Sequence, residues 1–276
     1  MRVSISNIAW ETKEDHKVCK ILHDHGIDAI DIAPGKYFAD ISSVTSERIS
    51  SVRTWWSERG IEIIGMQSLL YGTKGLNIFS GPEIQQRMLD HLQEICRIGD
   101  GLNARRLVFG SPRNRDRAGL SDQQAFEQAI SFFKRLAKVA QSHEVIICLE
   151  PNPRIYGSNF MTSTFETMKV VEAVGHRAIR MQLDTGAIFI NKENPSLICN
   201  KFRNYIGHIH LSEPLLVPLG TGTTSHKESA SALKEFLPDF PVTIEMLTKK
   251  NVDSITSINT SIKYVLSNYC SREQEL

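Results

Sequence analysis

His25-Gly26-Ile27-Asp28-Ala29-Ile30 and Arg59-Gly60-Ile61-Glu62-Ile63-Ile64 carry one phrase twice: a polar residue, a glycine, then an alternating run rich in isoleucine. A glycine behind a helical stretch accepts the left-handed turn that closes a helix, and the β-branched run after it favours an extended strand. The repeated phrase reads as one helix-to-strand junction used twice, so the chain opens as a series of βα modules. Ile49, Val52, Trp55 and Trp56 recur at helical spacing before the second junction, as a helix packing on a sheet requires.

The same module continues outward. Short β-rich runs at 3–10, 27–33, 61–70, 106–110, 145–150, 179–184, 207–212 and 242–246 make eight strands. Several, such as Val145-Ile146-Ile147-Cys148-Leu149, are apolar almost throughout, which suits a parallel sheet covered on both faces. Between them lie amphipathic stripes, for example Phe126, Ile130, Phe133, Leu136, Ala137 and Ala140, with Lys134, Arg135 and Lys138 off the stripe. Strand starts recur about every 34 residues, the length of a strand, a helix and two loops. The expected α/β fold is a single (β/α)8 barrel of parallel strands over 1–270, its last helix carrying Ile255, Ile258, Ile262, Val265 and Leu266, with 271–276 as a loose tail. An open doubly wound sheet is the competing arrangement, but no G-x-G-x-x-G follows the first strand.

Composition limits the function classes. The 276 residues are 41% hydrophobic and 23% charged, which excludes a disordered or collagen-like chain. Thirty-two Lys and Arg against 31 Asp and Glu leave a formal charge of +1, so no overall field recruits nucleic acid or an anionic membrane. Cys19, Cys96, Cys148, Cys199 and Cys270 form no C-x-x-C pair and are odd in number, which reads as reduced thiols rather than a disulfide framework. No stretch approaches the roughly 20 apolar residues of a membrane span, and the N-terminus enters a strand directly, so the expected location is cytoplasmic.

In such a barrel the chemistry sits at the C-terminal ends of the strands. Four consecutive strands end there on a polar side chain: Cys148-Leu149-Glu150, Gln182-Leu183-Asp184, His208-Ile209-His210 and Thr243-Ile244-Glu245. Their spacings are each about one βα unit, which sets the four side by side around half the rim. Three carboxylates so crowded would raise one another's pKa unless a cation neutralised them. With one imidazole, this oxygen-rich set favours one divalent ion, Mn²⁺ first, with Mg²⁺, Co²⁺ or Zn²⁺ as alternatives. A single acid at a strand end commonly just caps the next loop or helix, and that reading competes at each position taken alone.

Leu149-Glu150-Pro151-Asn152, Leu183-Asp184-Thr185-Gly186, His208-Ile209-His210-Leu211-Ser212-Glu213 and Ile244-Glu245-Met246 resemble the four metal-ligand strands of the xylose-isomerase-like sugar isomerase/epimerase superfamily. The resemblance covers nearly the whole chain. Its ketose 3-epimerase branch implies Glu150, Asp184, His210 and Glu245 as metal ligands, Glu150 and Glu245 as the acid/base pair, and a small carbohydrate as substrate. It also implies association into a homo-oligomer. Three positions depart from that branch. Ala187 stands where many relatives carry a His three residues after the strand 6 Asp, Leu216 where the epimerases often have Arg, and Tyr156-Gly157-Ser158-Asn159-Phe160 where they place a second Glu. These departures weigh against a free ketohexose.

Further candidates for substrate contact are Trp10, Gln67, Arg113, Asn152, Glu213 and His226, all on segments that follow strands, with core packing or loop capping as the competing reading for each. Asn152 and His208 lie two residues from ligands and so share their side of the strand. The stretch from Pro218 to His226 holds Gly220 and Gly222 ahead of Ser225-His226-Lys227-Glu228, which reads either as an anion cradle or as a loop with a capping box. Three other functions fit the same rim: dehydration of a keto-polyol, phosphodiester hydrolysis of the AP-endonuclease type, and a catalytically silent barrel.

Overall fold

Gly26 and Gly60 adopt φ of +67° and +66° in the computed structural model, which describes residues 1–248 and 252–270. The two junctions therefore close their helices as the repeated phrase requires. The stretch proposed as a loose tail, 271–276, lies outside the described residues.

Eight strands, β1 (Val3–Ser6), β2 (Ala29–Ile32), β3 (Glu62–Met66), β4 (Arg106–Phe109), β5 (Ile146–Leu149), β6 (Ile179–Asp184), β7 (Ile206–Ser212) and β8 (Val242–Glu245), pair in parallel and in chain order. β1 pairs with β8, which closes the barrel. The main covering helices are α1 (Asp15–Asp24), α2 (Ser46–Ser57), α3 (Pro82–Leu102), α4 (Asp122–Ser142) and α5 (Thr164–Val174). They are followed by α6 (Thr185–Ile190), α7 (Pro195–Phe202), α8 (His226–Phe236) and α9 (Ser254–Val265). The fold is thus a (β/α)8 barrel. No helix among the described residues is long and apolar enough to cross a membrane.

The apolar core lies between strands and helices, with Ile5, Ile30, Leu107, Ile147, Ile209 and Ile244 facing Leu22, Trp56, Leu92, Phe133 and Ile258, all buried. On α4 the buried stripe is Ala125, Ala129, Phe132, Phe133, Leu136, Ala137 and Ala140, so Phe126 and Ile130 sit at its edge rather than at its centre. Alanine lets the helix approach the sheet closely at its first turns. Trp56 is fully buried, whereas Trp55 is half-buried, meets His16 edge-on and carries the Arg59 guanidinium over its ring.

The inside of the barrel is polar. Ser4, Asp31, Gln182, His208, His210 and Thr243 are all fully buried and meet across the lumen. Ser4 and Thr243 share a hydrogen bond of 2.6 Å, Thr243 lies 3.3 Å from His208, and His208 bonds Asp31 on the far side. This layer replaces the branched apolar side chains that commonly fill such barrels. Two register shifts accompany it, one between Ile30 and Asp31 and one between Met181 and Gln182.

Candidate active site

Asp184 pairs directly with His210 across β6 and β7, and Ser212 with Glu245 across β7 and β8. Glu150 follows β5 and completes the arc. One ligand atom from each of Glu150, Asp184, His210 and Glu245 lies within 4.8 Å of all the others. His210 Nδ1 is 3.6 Å from Glu150 Oε1 and 3.4 Å from Glu245 Oε2. The strand-end spacing in the sequence therefore brings together the four side chains that it singled out.

Local structure explains why each points where it does. Gly110, just after β4, leaves room for Glu150: a Cβ there would fall 1.9 Å from Glu150 Oε2. Arg115, fully buried, donates to the backbone carbonyls of Glu150 at 2.6 Å and Gly110 at 3.2 Å, pinning the segment that carries the glutamate. Asp184 accepts from the Ser212 hydroxyl at 2.6 Å and from the Ala187 N–H at 2.6 Å, so it also caps the N-terminus of α6. A carboxylate has about four lone-pair sites, so this cap leaves Asp184 able to act as a ligand as well. Gln67 donates to Glu245 Oε1 at 2.6 Å and leaves Oε2 facing His210.

The electrostatics are those of a site that wants a cation. Burial, reinforced by Glu245 and Glu150, pushes the Asp184 carboxyl up to about 7. Burial opposes charge on His210, yet Glu245, Asp31 and Glu150 outweigh it and raise the imidazole well above its ordinary value. Burial likewise opposes ionisation of Glu245, and His210 and Gln67 overcome it. The cluster gathers protons where a divalent ion would satisfy the same charges. Three carboxylate oxygens and one imidazole nitrogen, converging, fit a divalent ion of the Mn²⁺, Mg²⁺ or Co²⁺ type.

The predicted contact residues divide. Gln67 reaches the ligand arc through Glu245, whereas Asn152 donates to the Gly110 carbonyl at 2.6 Å. Arg113 is exposed on the segment after β4. Trp10 is buried and gives its indole N–H to Asp15 at 2.7 Å. Glu213 and His226, each 1% exposed, face each other at 3.3 Å, and His226 Nδ1 bonds the Tyr269 hydroxyl at 2.6 Å.

The glycine-rich segment before α8 is wrapped around Glu213 rather than opened toward an anion. A Cβ at Gly222 would lie 2.3 Å from the Glu213 carboxylate, and the Thr224 N–H donates to it at 3.3 Å. A buried acid occupies the place an anion would need. The expected capping box is also absent, since Ser225 makes no side-chain cap to α8.

Sequence reasoning assigned no site role to Asp31, Ser212 and Tyr156. Tyr156 accepts the Leu215 N–H at 2.8 Å, and Asp184 and Glu245 help burial to raise its hydroxyl, which places it in the field of the cluster. Leu215 and Leu216 both hold left-handed backbone, φ 59° and 53°, and the Leu216 carbonyl accepts from Leu247 N–H at 2.7 Å. Loops after β5, β7 and β8 are thus tied to one another beside the rim. Gly110 was the one available signal for this neighbourhood, a glycine at a strand end beside a candidate ligand.

Comparison with known proteins agrees with the geometry. Residues 19–267 match the family described as xylose isomerase-like TIM barrel. A D-psicose 3-epimerase from Enterocloster bolteae is 24% identical over 205 residues, which span 69% of this chain and 64% of that protein. The chain thus matches slightly less than two thirds of that relative's length. A crystal structure of D-psicose 3-epimerase in the presence of D-fructose superposes with a TM-score of 0.82 at 15% identity, covering 98% of this chain and 100% of the other. The D-psicose 3-epimerase from Clostridium cellulolyticum H10 with D-tagatose gives 0.82 at 17% identity, covering 98% and 99%. With its closed parallel barrel and a family match over most of its length, the chain belongs to the xylose isomerase-like TIM barrel family.

Proposed function

We propose that the protein is a divalent-metal-dependent isomerase or epimerase that moves a proton at the carbon beside a carbonyl in a sugar, sugar acid or sugar phosphate. The observation that carries this reading is the convergence of Glu150, Asp184, His210 and Glu245 within 4.8 Å. A divalent ion held by these four supplies positive charge that acidifies the C–H between two adjacent oxygens of a hydroxy-ketone. The epimerase relatives support a small carbohydrate as the substrate.

Asp184 and His210 serve as anchors, because their remaining atoms are committed to Ser212, Ala187 and the barrel interior. Glu150 and Glu245 stand on non-adjacent strands and flank His210, so they approach a bound carbon from different sides. One takes the proton from the substrate carbon and the other returns a proton to the opposite face, which inverts the centre. Gln67 fixes the carboxylate plane of Glu245 for this exchange. Arg113, exposed beside the mouth, is the candidate for the far end of the substrate, and Asn152 steadies the Glu150 segment.

The test is deuterium uptake from D₂O into a panel of ketoses, keto-polyols and their phosphates, followed by mass spectrometry with Mn²⁺ or Mg²⁺ added. Uptake that requires both the metal and Glu150, and is lost in Glu150→Gln, is the expected result. Uptake accompanied by loss of water identifies a dehydratase on the same site. Full activity in a Glu150→Gln variant that binds Mn²⁺ normally overturns the assigned role.

A further inference from the structure

The metal reading leaves one fully buried carboxylate without a task. We propose that Asp31, on a strand that supplies no ligand, is a positioning residue that holds the His210 ring with Nδ1 turned into the ligand cluster and Nε2 turned toward the barrel interior. The proposal rests on the reading of Glu150, Asp184, His210 and Glu245 as a divalent-metal site.

The geometry is specific. Asp31 Oδ2 lies 3.7 Å from His210 Nε2 and 2.5 Å from His208 Nε2, with all three residues fully buried. His210 Nε2 makes no hydrogen bond among the described residues, with Asp31 Oδ2 facing it from beyond bonding distance, and its Nδ1 faces Glu150 and Glu245. A ring whose Nδ1 serves as a ligand must carry its proton on Nε2, and an N–H there points at Asp31. The pairing of a carboxylate behind a ligating histidine fixes both tautomer and ring plane. Asp31 is stabilised as a carboxylate by these two imidazoles, since a lone buried charge would be costly.

The backbone is shaped around this carboxylate. β3 carries one extra residue, Ile64, where β2 passes from Ile30 to Asp31, and this shift sets Gly65 opposite Asp31. A Cβ at Gly65 would lie 2.6 Å from Asp31 Oδ1, so only glycine leaves the space that the carboxylate fills. A second shift, between Met181 and Gln182, sets Gln182 opposite His208 and beside His210. His208 in turn leans on Thr243, whose hydroxyl is shared with Ser4 at the far end of the polar layer.

Metal-stripped full-length protein titrated with Mn²⁺, with free Mn²⁺ read by electron paramagnetic resonance, tests the proposal. Asp31→Asn keeps the shape and removes the charge; its Mn²⁺ affinity is expected to fall about 10–100-fold, the usual cost of losing such a partner. Gly65→Ala keeps the carboxylate but displaces it and is expected to weaken binding in the same direction. Ser4→Ala, at the far end of the polar ladder and in contact with neither Asp31 nor His210, is expected to bind as the parent does. Asp31→Asn binding within twofold of the parent, or Ser4→Ala weakening it equally, overturns the role. Should Asp31→Asn not fold, ¹⁵N shifts of histidine-labelled parent protein with Zn²⁺ decide. His210 with metal on Nδ1 and a proton on Nε2 supports the assignment, and the reverse tautomer overturns it. A parent that binds no Mn²⁺ sinks the metal reading and this inference together, whereas equal binding by parent and Asp31→Asn removes this inference alone.

Discussion

Replacing Gly110 with alanine separates the metal site from the stability of the barrel. Glycine at 110 does not hold a left-handed conformation, so alanine is acceptable to the backbone, and by restricting the unfolded chain it contributes a few tenths to about 1 kcal/mol of stability. The new methyl, however, lies 1.9 Å from Glu150 Oε2, where ordinary contact begins at 3.4 Å. The carboxylate oxygen must retreat by the difference, 1.5 Å, and it is the end of a side chain that can swing away. A displacement of that size removes one of four ligands and moves the acid/base group; misplacement by about 1 Å is enough to cost about 10²-fold in rate, or about 2.7 kcal/mol of transition-state stabilisation. Gly110→Ala is expected to melt at or above the parental temperature, to bind Mn²⁺ at least about tenfold more weakly, and to lose about 10²-fold in deuterium exchange. Parental Mn²⁺ affinity together with parental exchange would refute the placement of Glu150 in the site.

Four further outcomes follow from the same structure. Asp184 and His210 both hold protons in the metal-free cluster, and Mn²⁺ must displace them, so affinity should climb steeply with pH up to about 7 and less steeply above, where only the His210 proton remains; constant affinity between pH 5 and 8 would contradict this. The same raised Asp184 pKa means that its neutral form stabilises the metal-free fold below the ordinary carboxylate range, and that contribution is lost as pH rises toward about 7, so melting temperatures of stripped protein should decline over that interval and recover with saturating Mn²⁺. His226→Ala breaks the Tyr269 bond and leaves Glu213 buried without its neighbour, at a cost of about 1–3 kcal/mol; a drop of several degrees in Tm is expected, and an unchanged Tm would argue that the 213–226 segment is not anchored there. Tyr156→Phe deletes the acceptor of the Leu215 N–H, and hydrogen exchange at Leu215 should accelerate while the core strands keep parental protection.

The fold was legible from local signals. The paired glycine junctions at 26 and 60 encode φ values that other residues adopt with strain, and the 34-residue recurrence of apolar runs leaves little choice but a closed parallel barrel. The four candidate ligands were legible for the same reason: once the strands are placed, their C-terminal residues share one rim, and Glu150, Asp184, His210 and Glu245 converge there. Roles for Glu213 and His226 were not, because a polar residue after a strand can turn toward the mouth or toward a helix behind it. Only the packing of Gly222, Thr224 and Tyr269 shows that these two are buried and face each other.

What the chain's own residues determined is whatever repeats with a short period: the βα module, the barrel it closes into and the arc of polar residues at the strand ends. What only the tertiary structure decided is which side chains meet across the lumen. Asp31 and His208 are 177 residues apart and share no motif, and Gly65 acquires its meaning only from the carboxylate opposite it. Contacts between non-adjacent strands depend on barrel closure and register, and two single-residue shifts, which pass over Ile64 in β3 and Gly207 in β7, set Gly65 opposite Asp31 and His208 opposite Gln182.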